Sequence, residues 1–325
     1  MKHVLVSGAS GIVGYGVLRS LRQSQKDLQL IGTTMYGDSV APAFCDVFEK
    51  APPTDDAGYL DWFFDVIRKH RVDLVIPGIE IDMYKWVEHV TEIEARGAKV
   101  LLNRVDLVAL CKDKWLFYQQ LKESAPPLAI PTSVSSDFGT LVEEFGLPFL
   151  LKPKRGFGSK GIVKVGSEKS FSDHRQDIGT ILIAQQIVGA DDEEYTTSAF
   201  CDGTGGALAS MTLRRRLSKD GFTDRAEVAE LPGIAPALAA LCARFKPVGP
   251  TNFQFRLHAG ELKLLEINPR ISSATSIRAA FGYNESAMAV DYYLEKKNPS
   301  QPLIRRGRAV RYTEDFIFYE DGLHI

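Results

Sequence analysis

The sequence predicts an α/β protein with two unlike parts: a parallel, doubly wound sheet to about residue 108, then an α+β region built on antiparallel strands. Two observations predict this. Apolar strand-like runs alternate with helical runs over the first hundred residues, the pattern of successive βαβ units. Later, five strand-like runs between residues 181 and 267 are broken by only one helical stretch.

Each element has a local cause. Residues 3–7 form a buried strand, and a glycine-rich turn leads into an amphipathic helix through Arg22. Leu28–Thr34 is a second strand. Tyr59–His70 is a helix, because Leu60, Phe63, Phe64 and Ile67 recur at helical spacing. Val72–Ile76 is a strand stopped by Pro77-Gly78, Val87–Arg96 a helix, and Lys99–Leu102 a strand. Beyond the boundary, Asp113–Glu123 is helical, and Ser124–Pro131, with three prolines, is a linker. Phe149–Lys152 and Ile162–Val165 are short strands around a glycine loop. The run of strands is Ile181–Ile187, Tyr195–Cys201, Ala207–Leu213, Asn252–His258 and Glu261–Ile267, with helices at 234–245 and 284–296.

Composition narrows the function. With 41 acidic and 39 basic residues the net charge is −2, which argues against nucleic acid as a partner. The first apolar run is too short for a signal peptide and no segment is long enough to span a membrane. Cys45, Cys111, Cys201 and Cys242 form no CxxC pair and there is no HExxH. Free thiols in a reducing cytosol, and a cytoplasmic location, are therefore expected. Oligomeric state is open, with a homodimer as the default.

Three motifs carry chemistry. Gly8, Gly11 and Gly14 form GxxGxxG between a strand and a helix, where backbone amides can cradle a phosphate. An NAD(P)-dependent reductase is one reading. However, the second strand ends without an acid until Asp38. The YxxxK pattern of short-chain dehydrogenases also occurs three times, at Tyr118, Tyr292 and Tyr293, as any i, i+4 helical pair allows. A tight turn that packs helix against strand is the preferred reading.

The second motif is residues 147–163. Here Lys152 ends a strand, and a loop with Gly156, Gly158, Ser159, Lys160 and Gly161 leads to another. It has no GxxxxGKS or GxxxxGKT and no following helix. It reads either as a lid over phosphates or as an ordinary hairpin with a basic tip.

The third is the hairpin Thr251–Arg270. Asn252 and Gln254 share one face of its first strand, and Glu266 and Asn268 one face of its second. Hard oxygen donors of this kind suit Mg²⁺. A plain two-residue turn at 259–260 would pair Gln254 with Leu265, so a longer loop or a bulge is predicted, pairing Gln254 with Glu266.

Taken in order, these segments resemble the ATP-grasp fold, two α+β lobes preceded by a Rossmann-like domain with a parallel sheet. They are similar above all to carbamoyl phosphate synthetase large-subunit modules and to small amino-acid ligases such as that of pyrrolysine biosynthesis. The resemblance implies a pre-ATP-grasp domain at 1–108, a small lobe at 109–184 and a large lobe at 185–325. It implies ATP and Mg²⁺, two ions being the family pattern. It implies phosphate contacts at Lys114, Lys152 and the loop with Gly156, Gly158, Ser159 and Gly161. It places an adenine hinge at Gln185, Gln186 and Ile187, ribose contact at Glu194, metal ligands at Gln254, Glu266 and Asn268, and phosphoryl stabilisation at Arg270.

The implied reaction joins a small carboxylic acid to an amine or another nucleophile through an acyl phosphate, releasing ADP and phosphate. Gly8 and Gly11 would face the non-nucleotide substrate. Arg214, Arg215 and Arg216, a basic run after a strand with Lys219 beyond it, read either as a carboxylate clamp, for which Arg214 and Arg216 are the candidates, or as a solvated turn. Arg278 reads as a second clamp or a helix-surface residue. Synthetase modules carry a second arginine three residues after the first, where this chain has Ser273. Full carbamoyl phosphate synthesis is therefore not expected, although a related activity stands beside the reductase as an alternative. A nucleotide-binding scaffold with a dead site is a further one.

Overall fold

The computed structural model describes residues 1–156, 161–219 and 221–319. Its first hundred residues supply β1 (Lys2–Val6), β2 (Leu28–Thr34), β3 (Val47–Lys50), β4 (Leu74–Ile76) and β5 (Lys99–Val100). All pair in parallel, in the order β3-β2-β1-β4-β5. The glycine turn after β1 is closed from within. Gly8 has φ +57°, and Gly11 N–H donates to its carbonyl at 2.8 Å. A Cβ on Gly14 would sit 2.2 Å from the Gly8 oxygen, so the helix Ile12–Gln23 can start this close to the sheet only without a side chain there.

β3, an edge strand with no fully buried residue, leaves no apolar run in the sequence to mark it. The predicted helix Val87–Arg96 is instead two helices, Glu80–Trp86 and Val90–Glu94. Glu80 and Asp82 in the first turn of the former suit the positive end of the helix dipole. Trp86 then stacks on Phe63 at 4.6 Å and donates to the Tyr59 hydroxyl.

A four-stranded antiparallel sheet follows, from β6 (Thr132–Ser133), β7 (Phe149–Pro153), β8 (Val163–Val165) and β9 (Leu182–Gln186), ordered β6-β9-β7-β8. The third sheet has β10 (Glu194–Asp202), β11 (Ala207–Leu217), β12 (Thr223–Val228), β13 (Val248–His258), β14 (Glu261–Asn268) and β15 (Arg308–Val310). Its order is β14-β13-β10-β11-β12-β15, again antiparallel. Alternation, interrupted once in β14, divides its residues. Tyr195, Phe253, Phe255, Leu264 and Ile267 pack on the helix Ile234–Phe245. The polar residues between them point to the other face.

The first and third sheets share apolar packing. Val4, Val6, Val17 and Leu18 lie in one cluster with Phe200, Ile271, Ala289 and Val290. Asn103 donates to Thr251 at 2.8 Å and Asn284 to the Ser20 carbonyl at 2.7 Å across the same junction. This fixes the turn at Gly8 relative to the end of β14. Among the described residues no helix is long and apolar enough to cross a membrane.

Candidate active site

The hairpin β13–β14 sets the centre of the site. His258 pairs with Glu261 across a two-residue turn, and Phe255 with Leu264. The register then shifts, so that Gln254 faces Glu266 and Asn252 faces Asn268. Leu265 is the extra residue of a β-bulge, one of the two devices anticipated from the sequence. Glu266, Gln254 and Asn268 offer one carboxylate and two amide oxygens, a hard donor set that fits Mg²⁺ and leaves positions for water and phosphate. Asn268 Nδ2 donates to Glu266 Oε1 at 2.9 Å, so that its oxygen is the atom it could offer to a cation. Gln254 Oε1 accepts from Arg215 at 2.6 Å, a bond that a metal ion would have to displace. Asn252 is fully buried and bound to Thr196 and Arg278.

The basic residues converge on this face. Asp113 caps the helix Lys114–Ser124 by accepting from Trp115 and Leu116 amides. That places Lys114 at the first turn, where its Nζ donates to the Gly156 carbonyl at 2.8 Å and so touches the glycine loop. Lys152, at the end of β7, donates to Gln185 Oε1 at 2.6 Å. Burial pushes the Lys152 ammonium down to about 8; Glu266 opposes that shift, while Arg256 and Lys114 add to it. Gly158 and Ser159, with Lys160, lie outside the described residues. Gly156 and Gly161 bound that segment, both with positive φ.

At the hinge, the Gln185 side chain is engaged with Lys152 and Thr132. The Gln186 amide donates to Pro131 O at 3.0 Å and cannot also donate to an adenine edge while that bond holds. Ile187 follows half-buried. Glu194 is 3% exposed. Arg215 opposes it on β11 and Arg256 on β13. Oε1 accepts from Arg215 at 2.8 Å and Oε2 from Arg256 at 3.0 Å, so ribose hydroxyls would have to replace one arginine.

Arg270 follows β14 and reaches back to the first domain. Its guanidinium pairs with Glu80 and donates to the Ile271 carbonyl. Tyr84, one turn after Glu80, is held up at about 12 by burial and then by the Glu80 carboxylate, with Arg270 and Glu266 in electrostatic range. Glu80, Tyr84 and Arg256 were not singled out as site residues from the sequence, and Arg215 only as part of the basic run. Signals for two of the three existed. Glu80 follows the carboxyl end of a parallel strand, and Arg256 alternates with Gln254.

The substrate assignments of Arg214, Arg216 and Arg278 need correction. Arg214 and Arg216 are exposed, and Arg214 pairs with Glu227 at 3.1 Å. Period-2 alternation turns both away from the site and turns the intervening Arg215 toward it. Arg278 is fully buried, donating to Ser272, Glu285, Thr196 and Asn252; it is neither a helix-surface residue nor open to a substrate. Gly8 and Gly11 are accounted for by the packing of their turn.

A parallel sheet leading into two antiparallel sheets, with two lysines and an oxygen donor set close together, is the ATP-grasp arrangement. Residues 189–316 match the family model described as ATP-grasp in the biosynthetic pathway with Ter operon. It is 21% identical over 293 residues to the carbamoyl phosphate synthase large chain of Methanosarcina mazei, across 83% of this chain and 27% of that one. With the corresponding chain of Methanothermobacter thermautotrophicus it is 24% identical over 249 residues, across 67% and 22%. The chain thus spans about a quarter of the length of these curated relatives.

Among solved structures, N5-carboxyaminoimidazole synthetase from Staphylococcus aureus superposes with a TM-score of 0.72 at 15% identity, covering 93% of this chain and 80% of that one. The biotin carboxylase domain of Hydrogenobacter thermophilus 2-oxoglutarate carboxylase, in complex with MgADP, ADP and bicarbonate, superposes with a TM-score of 0.68 at 16% identity, covering 94% and 73%.

Proposed function

We propose that this chain is an ATP-dependent ligase that activates a small carboxylic acid as an acyl phosphate and passes the acyl group to an amine or a related nucleophile. The observation that carries this reading is the bulged register that sets Gln254 against Glu266, beside Lys152 and Lys114. On this reading residues 1–108 form the pre-ATP-grasp domain, and ATP lies between lobes at 109–184 and 185–325.

The substrate carboxylate attacks the γ-phosphorus of ATP and ADP leaves. The amine then forms the C–N bond and phosphate departs with the broken C–O bond. Glu266, Gln254 and Asn268 would hold Mg²⁺, which when bound supplies neutralising charge at the phosphates. Lys114 and Lys152 bind the phosphates, with the glycine loop excluding water that would hydrolyse the acyl phosphate. Arg270 stabilises the transferred phosphoryl group, for which it must loosen its pairing with Glu80. Glu194 orients the ribose once Arg215 or Arg256 gives way, and the backbone near Ile187 borders the adenine.

The test is ADP release from purified protein with Mg·ATP, screened over carboxylic acids with and without amines, beside a Glu266→Ala control. Release that needs one acid–amine pair and disappears in the control supports the ligase. No release with any pair, together with no thermal shift on adding ATP, removes it.

A further inference from the structure

An open concavity of about 470 Å³ lies beside the glycine turn, lined by Ser10, Tyr36, Asp38, Phe316 and Phe318 among others. Its size is that of a small-molecule site. Two separate parts of the chain build it. The loop after β2 supplies Tyr36 and Asp38, and Ser10 is held to that loop by a 2.8 Å contact between its hydroxyl and that of Thr34. The opposite wall is the segment after β15. Arg311 ties that segment down by donating to the carbonyls of Thr223 and Ser273, three residues past Arg270. Phe316 and Phe318 meet edge-to-face at 5.0 Å.

The turn connects this cavity to the reaction centre. Ser10 is two residues from Gly8, whose Cα packs so closely on Ile79 that a Cβ would meet its side chain at 2.5 Å. Ile79 precedes Glu80, the partner of Arg270. The turn from Gly8 to Ser10 thus joins the cavity wall to the residue that precedes the partner of Arg270.

The lining defines the ligand chemistry. Among the described residues three aromatic rings and one carboxylate line the cavity, and no lysine or arginine does. Asp38 is exposed and has no hydrogen bond or ion pair among the described residues. Aromatic faces and an unneutralised carboxylate attract cations and repel anions. A dinucleotide fits poorly, because the Ala9 and Gly11 amides of the turn are already bonded to Thr33 and Gly8 and, among the described residues, no lysine or arginine lines the cavity to meet a pyrophosphate.

We propose that this cavity binds an organic ammonium, and that it seats the amine half of the ligation; the second statement rests on the ligase reading, whereas the first does not. The experiment is a titration of the full chain with cadaverine, followed by NMR of the Tyr36, Asp38, Phe316 and Phe318 signals. Pentanoate, 1-pentanol and NAD⁺ are titrated alongside. Cadaverine alone is expected to shift these signals saturably. Asp38→Asn is expected to weaken it roughly three- to tenfold, and Phe316→Ala with Phe318→Ala roughly tenfold.

Asp38 is exposed, so its variant retains the fold and carries the decision even if the alanine pair dislodges the terminal segment. Unchanged cadaverine affinity in Asp38→Asn, equal binding of pentanoate, or NAD⁺ binding at these residues overturns the proposal. Cadaverine binding without ADP release under any acid–amine pair keeps the ammonium site and overturns its role as the amine seat. ADP release without ammonium binding does the reverse, keeping the ligase and removing the site.

Discussion

Glu194 stands between two arginines in a single row across β11, β10 and β13, and removing it should loosen the third sheet. In Glu194→Ala, Arg215 (side chain 4% exposed) loses its carboxylate but keeps Gln254 and Thr223. Arg256 is 20% exposed and keeps Asp191, so it contributes less. Breaking a buried pair from one side costs about 3–5 kcal/mol. The retained bonds of Arg215 put this case near the low end, about 3 kcal/mol. A chain of this size need not unfold in one step, so the local measurement is amide exchange of β10 and β11. About 3 kcal/mol corresponds to a protection loss of roughly a hundredfold. Glu194→Leu combined with Arg215→Met, which removes both charges, should recover most of the protection. A loss below about fivefold in Glu194→Ala, or no recovery in the double variant, would refute the claim that this row is a buried charge network.

Lys152 gives a pH signature. Its ammonium titrates near 8, so it is cationic below that pH and increasingly neutral above it. Bound phosphate favours the charged form, so ATP binding should take up a proton above pH 8. The ATP dissociation constant should then rise by up to about tenfold per pH unit between 8 and 9. Lys152→Arg should flatten this profile, and calorimetry in buffers of different ionisation enthalpy reads the proton directly. Gly14→Ala drives a Cβ into the Gly8 carbonyl and should cost about 2–3 kcal/mol, seen as a lower thermal midpoint with reduced protection of β1. Arg214→Ala and Arg216→Ala, on the exposed face, should each change stability by no more than about 0.5 kcal/mol and leave the KM of every substrate unchanged; a raised KM for the acid would restore the clamp.

Local pattern carried much of the architecture. Alternation of strands and helices is enough for a parallel sheet, and Gly8, Gly11 and Gly14 identified its first turn. In the hairpin, period-2 spacing together with the position of Glu266 relative to the turn required an irregularity, and Leu265 supplies it. These features depend on residues close in sequence, where side-chain direction follows from backbone period alone. Short edge elements such as β3 and β15 bury too little to leave such a pattern.

The tertiary structure decided which charges meet. That Arg215 and Arg256 hold Glu194, that Glu80 holds Arg270, and that Arg278 is buried among Thr196, Asn252 and Glu285 all depend on strands and helices brought together from distant parts of the chain. The sequence by itself determined the strand order of chemistry along the chain and the face on which each polar residue lies. Which partner each one finds was settled only by folding, because a charge on a strand is paired by its neighbour across the sheet, and sheet neighbours are set by topology rather than by spacing.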